Sequence, residues 1–174
     1  MGSVIYFLVG LVLMASGVVL SFGAVMPREH IVTRSAELRA SPQAVWTLIS
    51  EPENFPSWRS GVKSVEMLSG ANEPKKWVEA SGRDRLQLAI VEAKSAETLV
   101  TKIDDDKLPY GGTWTYSLQP SVSDGGSHLE ITEQGFVNPP PFRFLAKFVF
   151  GHATTIDRYL ADLRKRTDRA SNPF

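Results

Sequence analysis

The chain has 174 residues, with 19 Lys and Arg balanced by 19 Asp and Glu. That length allows one globular domain and little more, and 43% hydrophobic with 22% charged residues excludes a wholly disordered chain. Balanced charge argues against a general nucleic-acid binder, and zero cysteines exclude disulfides, thiolate nucleophiles and Cys-ligated metal.

The charge is distributed unevenly. Residues 1–26 contain no charged side chain, and the run from Val4 to Met26 is apolar or small apart from Tyr6. A bilayer core of about 30 Å needs roughly 20 helical residues, so this run predicts a transmembrane anchor over residues 1–27, contacting the membrane through residues 4–26. A cleaved signal peptide is the competing reading, with Ser21-Phe22-Gly23 as a cleavage site. It lacks a basic n-region, and the apolar run exceeds the usual h-region. Arg28, Arg34 and Arg39 follow the span and nothing basic precedes it. The positive-inside tendency then predicts a single-pass protein of the cell membrane with residues 28–174 in the cytoplasm. Ser3, Gly10, Gly17 and Ala24 recur at intervals of seven, a small-residue stripe that would let two such helices approach in a weak homodimer.

Beyond the span, Ile31–Ala40 reads as a strand. Ser41 and Pro42 mark a helix start, followed by Val45, Leu48 and Ile49 on one face. Glu51-Pro52 ends that helix, and Phe55-Pro56-Ser57-Trp58 forms a second short turn or helix. Six further strands are expected at Val62–Leu68, Lys76–Ala80, Arg85–Glu92, Thr98–Asp104, Gly112–Gln119 and His128–Val137, separated by Gly, Pro, Asn, Asp and Ser. Alternation is clean for Leu86, Leu88 and Ile90, for Trp114, Tyr116 and Leu118, and for Leu129 and Ile131. The period then changes. Leu145, Phe148, Val149, His152, Ile156, Tyr159, Leu160 and Leu163 mark one side of a helix expected from Phe142 to Arg166, about 37 Å long. A curved sheet is the available cover for its apolar stripe. Residues 169–174 read as a polar tail.

This order, strand, two short helices, six strands and a long C-terminal helix, resembles the helix-grip fold of the START-like or SRPBCC superfamily, in its polyketide cyclase/dehydrase-type branch. The resemblance rests on Ala40 to Ser50 with Phe55-Pro56-Ser57-Trp58, on Gly111 to Tyr116, and on Ile131 to Gly135 leading into Asn138-Pro139 and Phe142-Arg143-Phe144. It implies an α+β fold of the Bet v 1/START-like kind over residues 28–168: a curved antiparallel sheet of about seven strands around a long C-terminal helix, added here to one N-terminal membrane helix. It also implies a hydrophobic cavity between sheet and helix. Members of the superfamily are variously lipid or hormone carriers, cyclases, co-chaperone-like domains and respiratory-lipid partners.

No His pair has metal spacing, and there is no P-loop, Rossmann fingerprint or nucleophile elbow, so no cofactor, metal or catalytic residue is expected. Asp104-Asp105-Asp106 lacks the loop glycine and distal Glu of an EF-hand and reads as a solvated turn. If the alternation from Leu129 and Ile131 continues, Glu133 also points inward and needs a cation or strong donor, with Arg143 the nearest candidate in sequence. His152 lies on the helix stripe. In the helix-grip layout the expected cavity residues are Trp58, Trp77, Trp114, Tyr116, Glu133, Phe148, His152 and Ile156. An apolar, aromatic set with few polar groups suits binding of a hydrophobic small molecule or lipid better than chemistry. A cyclase/dehydrase-type enzyme and a tethered interaction module without a ligand remain the alternatives.

Overall fold

The computed structural model describes residues 2–70, 73–82, 84–121, 125–145 and 153–171. Its first element, α1 (Gly2–Val25), includes a stretch of 23 residues, Ser3–Val25, long and apolar enough to cross a membrane. Most of its described side chains are exposed, Tyr6 79% and Phe7 71% among them, and only its C-terminal end meets the rest of the fold.

Among the described residues, seven strands form one antiparallel sheet in the order β1-β7-β6-β5-β4-β3-β2. These are β1 (Glu29–Leu38), β2 (Ser64–Met67), β3 (Lys76–Ser81), β4 (Asp84–Lys94), β5 (Thr98–Ile103), β6 (Tyr110–Pro120) and β7 (Ser127–Val137). Each strand expected from the sequence is present with its ends moved by a few residues. The central alternation holds: Tyr116 and Leu118 on β6 and Leu129 and Ile131 on β7 are buried on one face. The register of β4 against β5 shifts between Ile90 and Glu92, an irregularity of the β-bulge kind within the sheet.

Between β1 and β2 lie α2 (Pro42–Ser50) and a short 3-10 helix (Pro52–Ser57). Ser41 caps α2 by accepting from the Ala44 N–H at 3.3 Å, and Pro42 occupies the first turn, where its missing N–H costs nothing. Val45 and Ile49 of α2 enter the core.

The C-terminal segment differs from the single helix expected over 142–166. Two helices are described, α3 (Pro140–Leu145) and α4 (Thr154–Ser171), and residues 146–152 lie outside the described set. α3 packs chiefly on the C-terminal end of α1 rather than on the sheet. α4 carries the expected stripe: Ile156, Tyr159, Leu160 and Leu163 are all buried. It continues to Ser171, into the stretch expected as a polar tail, with Arg169 in its last turn, where a cation suits the helix dipole. α4 lies along β1, with Arg34 donating to Asp157 at 3.1 Å.

Candidate functional site

The concave face of the sheet, the 3-10 helix and the first half of α4 enclose a cavity of about 490 Å³. Roughly 300–1,000 Å³ is the range of small-molecule sites. Its strand lining comes from one end of the sheet, where Ser81 ends β3, Asp84 starts β4, Ile103 ends β5 and Tyr110 starts β6. At the opposite end Leu38, Leu99, Leu118 and Leu129 join Val45 and Ile49 of α2 in a solid core. The cavity is therefore plugged at one end of the strands and opens at the other.

Aromatic and aliphatic side chains share the wall with two polar groupings, and Asp84, Arg85, Lys102, Arg158 and Asp162 also line it. The first is the Arg59–Glu79 ion pair, Nη1 to Oε1 at 2.5 Å, with side chains only 16% and 9% exposed. Glu79 also accepts from the Trp77 indole N–H at 3.1 Å. Trp77 and Glu79 are two apart on β3, so the strand's alternation brings both to the same inward face. The Arg59 guanidinium sits 4.8 Å from the Phe55 ring centre and 5.0 Å from that of Tyr159. Burial works against its charge, but the Glu79 carboxylate and the neighbouring tyrosine oxygens outweigh that and hold its pKa above the ordinary value.

The Tyr116 and Tyr159 rings lie 5.8 Å apart in the same wall. Burial pushes the Tyr116 hydroxyl up to about 12 and Tyr159 well above the ordinary range, so both stay protonated at neutral pH and offer O–H donors. The Tyr116 and Tyr159 hydroxyls interact with each other, and the Tyr159 oxygen is shut off from solvent.

The second grouping is Glu133 on β7. It accepts from the Trp114 indole N–H at 2.9 Å and from His30 Nε2 at 2.9 Å. His30 opposes Gly135 in the β1–β7 register and reaches Glu133 diagonally. A Cβ on Gly135 would lie 2.5 Å from the His30 ring, so only glycine leaves room for this contact.

Of the residues expected in the cavity, Trp77, Trp114, Tyr116 and Glu133 line it. Trp58 and Ile156 do not. Trp58 packs edge-on against Tyr159 at 5.2 Å, behind the wall, and Ile156 is fully enclosed in the core. Phe148 and His152 lie outside the described residues. The pairing of Glu133 with Arg143 is corrected: the Arg143 donors go to backbone carbonyls at the end of β7 and of α1, among them Nε to Val137 at 2.9 Å. Arg59, Glu79, Thr101 and Tyr159 are cavity residues that the sequence reading missed. Glu79 could have been found from the Trp77 alternation; Arg59 follows an aromatic turn and carries no such signal. Among the described residues, no group of three or more His, Cys, Asp or Glu could hold a metal ion.

The fold matches solved structures of low sequence identity. A START superfamily protein from Mycobacterium smegmatis superposes with a TM-score of 0.65 at 18% identity, covering 81% of this chain and 99% of that one. A protein from Thermobifida fusca gives 0.62 at 23% identity, covering 80% and 93%. Truncated norcoclaurine synthase from Thalictrum flavum gives 0.63 at 11% identity, covering 79% and 92%. At these identities the likeness is one of fold: a START-like helix-grip domain. No curated protein matches the chain in sequence. Residues 29–167 do match the family described as polyketide cyclase / dehydrase and lipid transport, which takes in all seven strands and most of α4, and the chain belongs to that family.

Proposed function

We propose that this protein is a membrane-anchored binding protein for a hydrophobic small molecule or lipid held in the cavity between sheet and helix. Residues 1–27 serve as the anchor and residues 28–168 as the binding domain, on the cytoplasmic side by the arginines that follow the span. The fold family binds hydrophobic small molecules in general. The observation that carries the reading is the cavity itself: about 490 Å³ of space with Phe55, Trp77, Trp114, Tyr116 and Tyr159 in its wall. Arg59 in the wall is already paired with Glu79, and Arg85, Lys102 and Arg158 also line the cavity.

Mass spectrometry of the full chain extracted in mild detergent should find a co-purifying hydrophobic molecule. Titration with that molecule should change the emission of Trp77 and Trp114. An empty protein whose emission ignores a panel of hydrophobic probes would overturn the reading.

A cyclase/dehydrase-type enzyme is the second reading, favoured by Glu133, a cavity carboxylate oriented by both Trp114 and His30. If it transfers a proton, Glu133→Gln should lower turnover about 10²–10⁴-fold with binding retained. In a binding protein the same change alters affinity or stability alone.

A further inference from the structure

The anchor and the open end of the cavity share one end of the sheet. Only Met26, Pro27 and Arg28 separate α1 from β1, and the antiparallel order places the start of β1 beside the end of β7 and the start of β6. Tyr110 and Gly111, at the start of β6, line the cavity. Exposed apolar side chains collect at the same end: Ile31 is 69%, Phe142 58% and Phe136 38% exposed. Apolar surface of this kind next to a membrane span suits the headgroup boundary of a bilayer.

The junction is also built to hold its angle. The Pro140 carbonyl oxygen sits 2.0 Å from where a Cβ on Gly23 would be, so α1 and α3 touch backbone to backbone. Arg143, buried beneath them, donates from Nη1 to the Gly23 carbonyl at 3.3 Å and to the Met26 carbonyl at 3.4 Å. Its other donors take the Val137 and Asn138 carbonyls. The final carbonyls of a helix have no intrahelical donor, and a cation there also meets the negative end of the helix dipole. One side chain thus ties the end of the anchor to the end of β7.

We infer that Gly23 and Arg143 lock the domain onto its anchor with the cavity mouth turned to the host bilayer, so that the cavity exchanges a membrane-resident amphiphile directly with that bilayer. This rests on the ligand-binding reading above. Arg143 acts as a positioning residue; it touches no ligand.

The test reconstitutes the full chain in phosphatidylcholine vesicles with a long-chain fatty alcohol bearing a diazirine. Photolabelling of the peptide containing Trp114 reports cavity occupancy. In one arm the probe is premixed in the host bilayer; in the other it is given as a cyclodextrin complex to the chain in detergent. Gly23→Val wedges α1 off Pro140 from a position outside residues 28–168, and a ten-residue Gly/Ser insertion between Met26 and Pro27 frees the angle by another route. Both should cut labelling from the host bilayer about tenfold, as effective concentration is lost, and leave labelling in detergent unchanged. Wild-type labelling of both variants from the bilayer would overturn the locked orientation while leaving ligand binding intact. No labelling of any protein in either arm would overturn the binding reading and this inference with it.

Discussion

Glu133 Oε1 accepts from His30 Nε2 at 2.9 Å, joining two residues 103 positions apart across the β1–β7 pair. The contact passes over Gly135, where an added Cβ would lie 2.7 Å from Nε2. Gly135→Ala should push the His30 ring aside and cost about 1–2 kcal/mol in denaturant unfolding. A variant as stable as the parent would show that the ring relaxes freely and that the pair does not set the position of Glu133.

The Arg59–Glu79 pair gives a second prediction. Glu79→Leu leaves the Arg59 cation and the Trp77 N–H without their acceptor, and removing one partner of a buried pair typically costs about 3–5 kcal/mol. Arg59→Met combined with Glu79→Leu should lose clearly less, because no charge is stranded. Strictly additive losses in the double-mutant cycle would mean the two side chains act independently.

Core and cavity should respond in opposite ways to added volume. Ile156 is fully buried, so Ile156→Trp should lower stability by about 1–3 kcal/mol or more through overpacking. Leu88 borders the cavity and is only partly buried, so Leu88→Trp should keep the melting temperature and reduce probe binding. Equal thermal losses in the two variants would mean that the space at Leu88 is already filled.

The pH dependence has a named source at Asp104. Lys102 at 2.8 Å and Lys76 at 2.9 Å hydrogen-bond its carboxylate and lower its pKa from 3.8 to about 2. A depressed pKa in the folded state contributes stability above about pH 4 that is lost as the pH falls toward 2. The urea midpoint should therefore decline across that window, and Asp104→Asn should make the decline shallower. An identical acid profile in the variant would locate the sensitivity elsewhere.

What could be read from the sequence divides along the range of the interactions. Ser41 capping α2, the alternation through Trp114, Tyr116 and Leu118, and the α4 stripe are local patterns, and each has its structural counterpart. The partner of Glu133 was not legible, because Arg143 is near in sequence while His30 is near only in the sheet register. Trp58 and Ile156 could not be separated from Trp77 and Trp114, because core and cavity wall draw on the same apolar residues. Arg59 was missed because a buried charge has no periodic signature; only its tertiary neighbours, Glu79 and two aromatic rings, make it tolerable there.

The position of β1 has a kinetic consequence. It is an edge strand whose sole sheet partner is β7, and pairs such as Ala36 with Leu129 close loops of more than ninety residues. Closing such loops is entropically slow, and contacts of this separation delay folding. During synthesis α1 and β1 emerge first and β7 near the end, so β1 waits, unpaired and tethered by α1, while the meander from β2 to β6 forms. Pairing the start of β1 with the end of β7 brings His30 to Glu133 and Arg143 to Gly23, so completion of the sheet is coupled to assembly of the cavity carboxylate and to packing of α3 on α1.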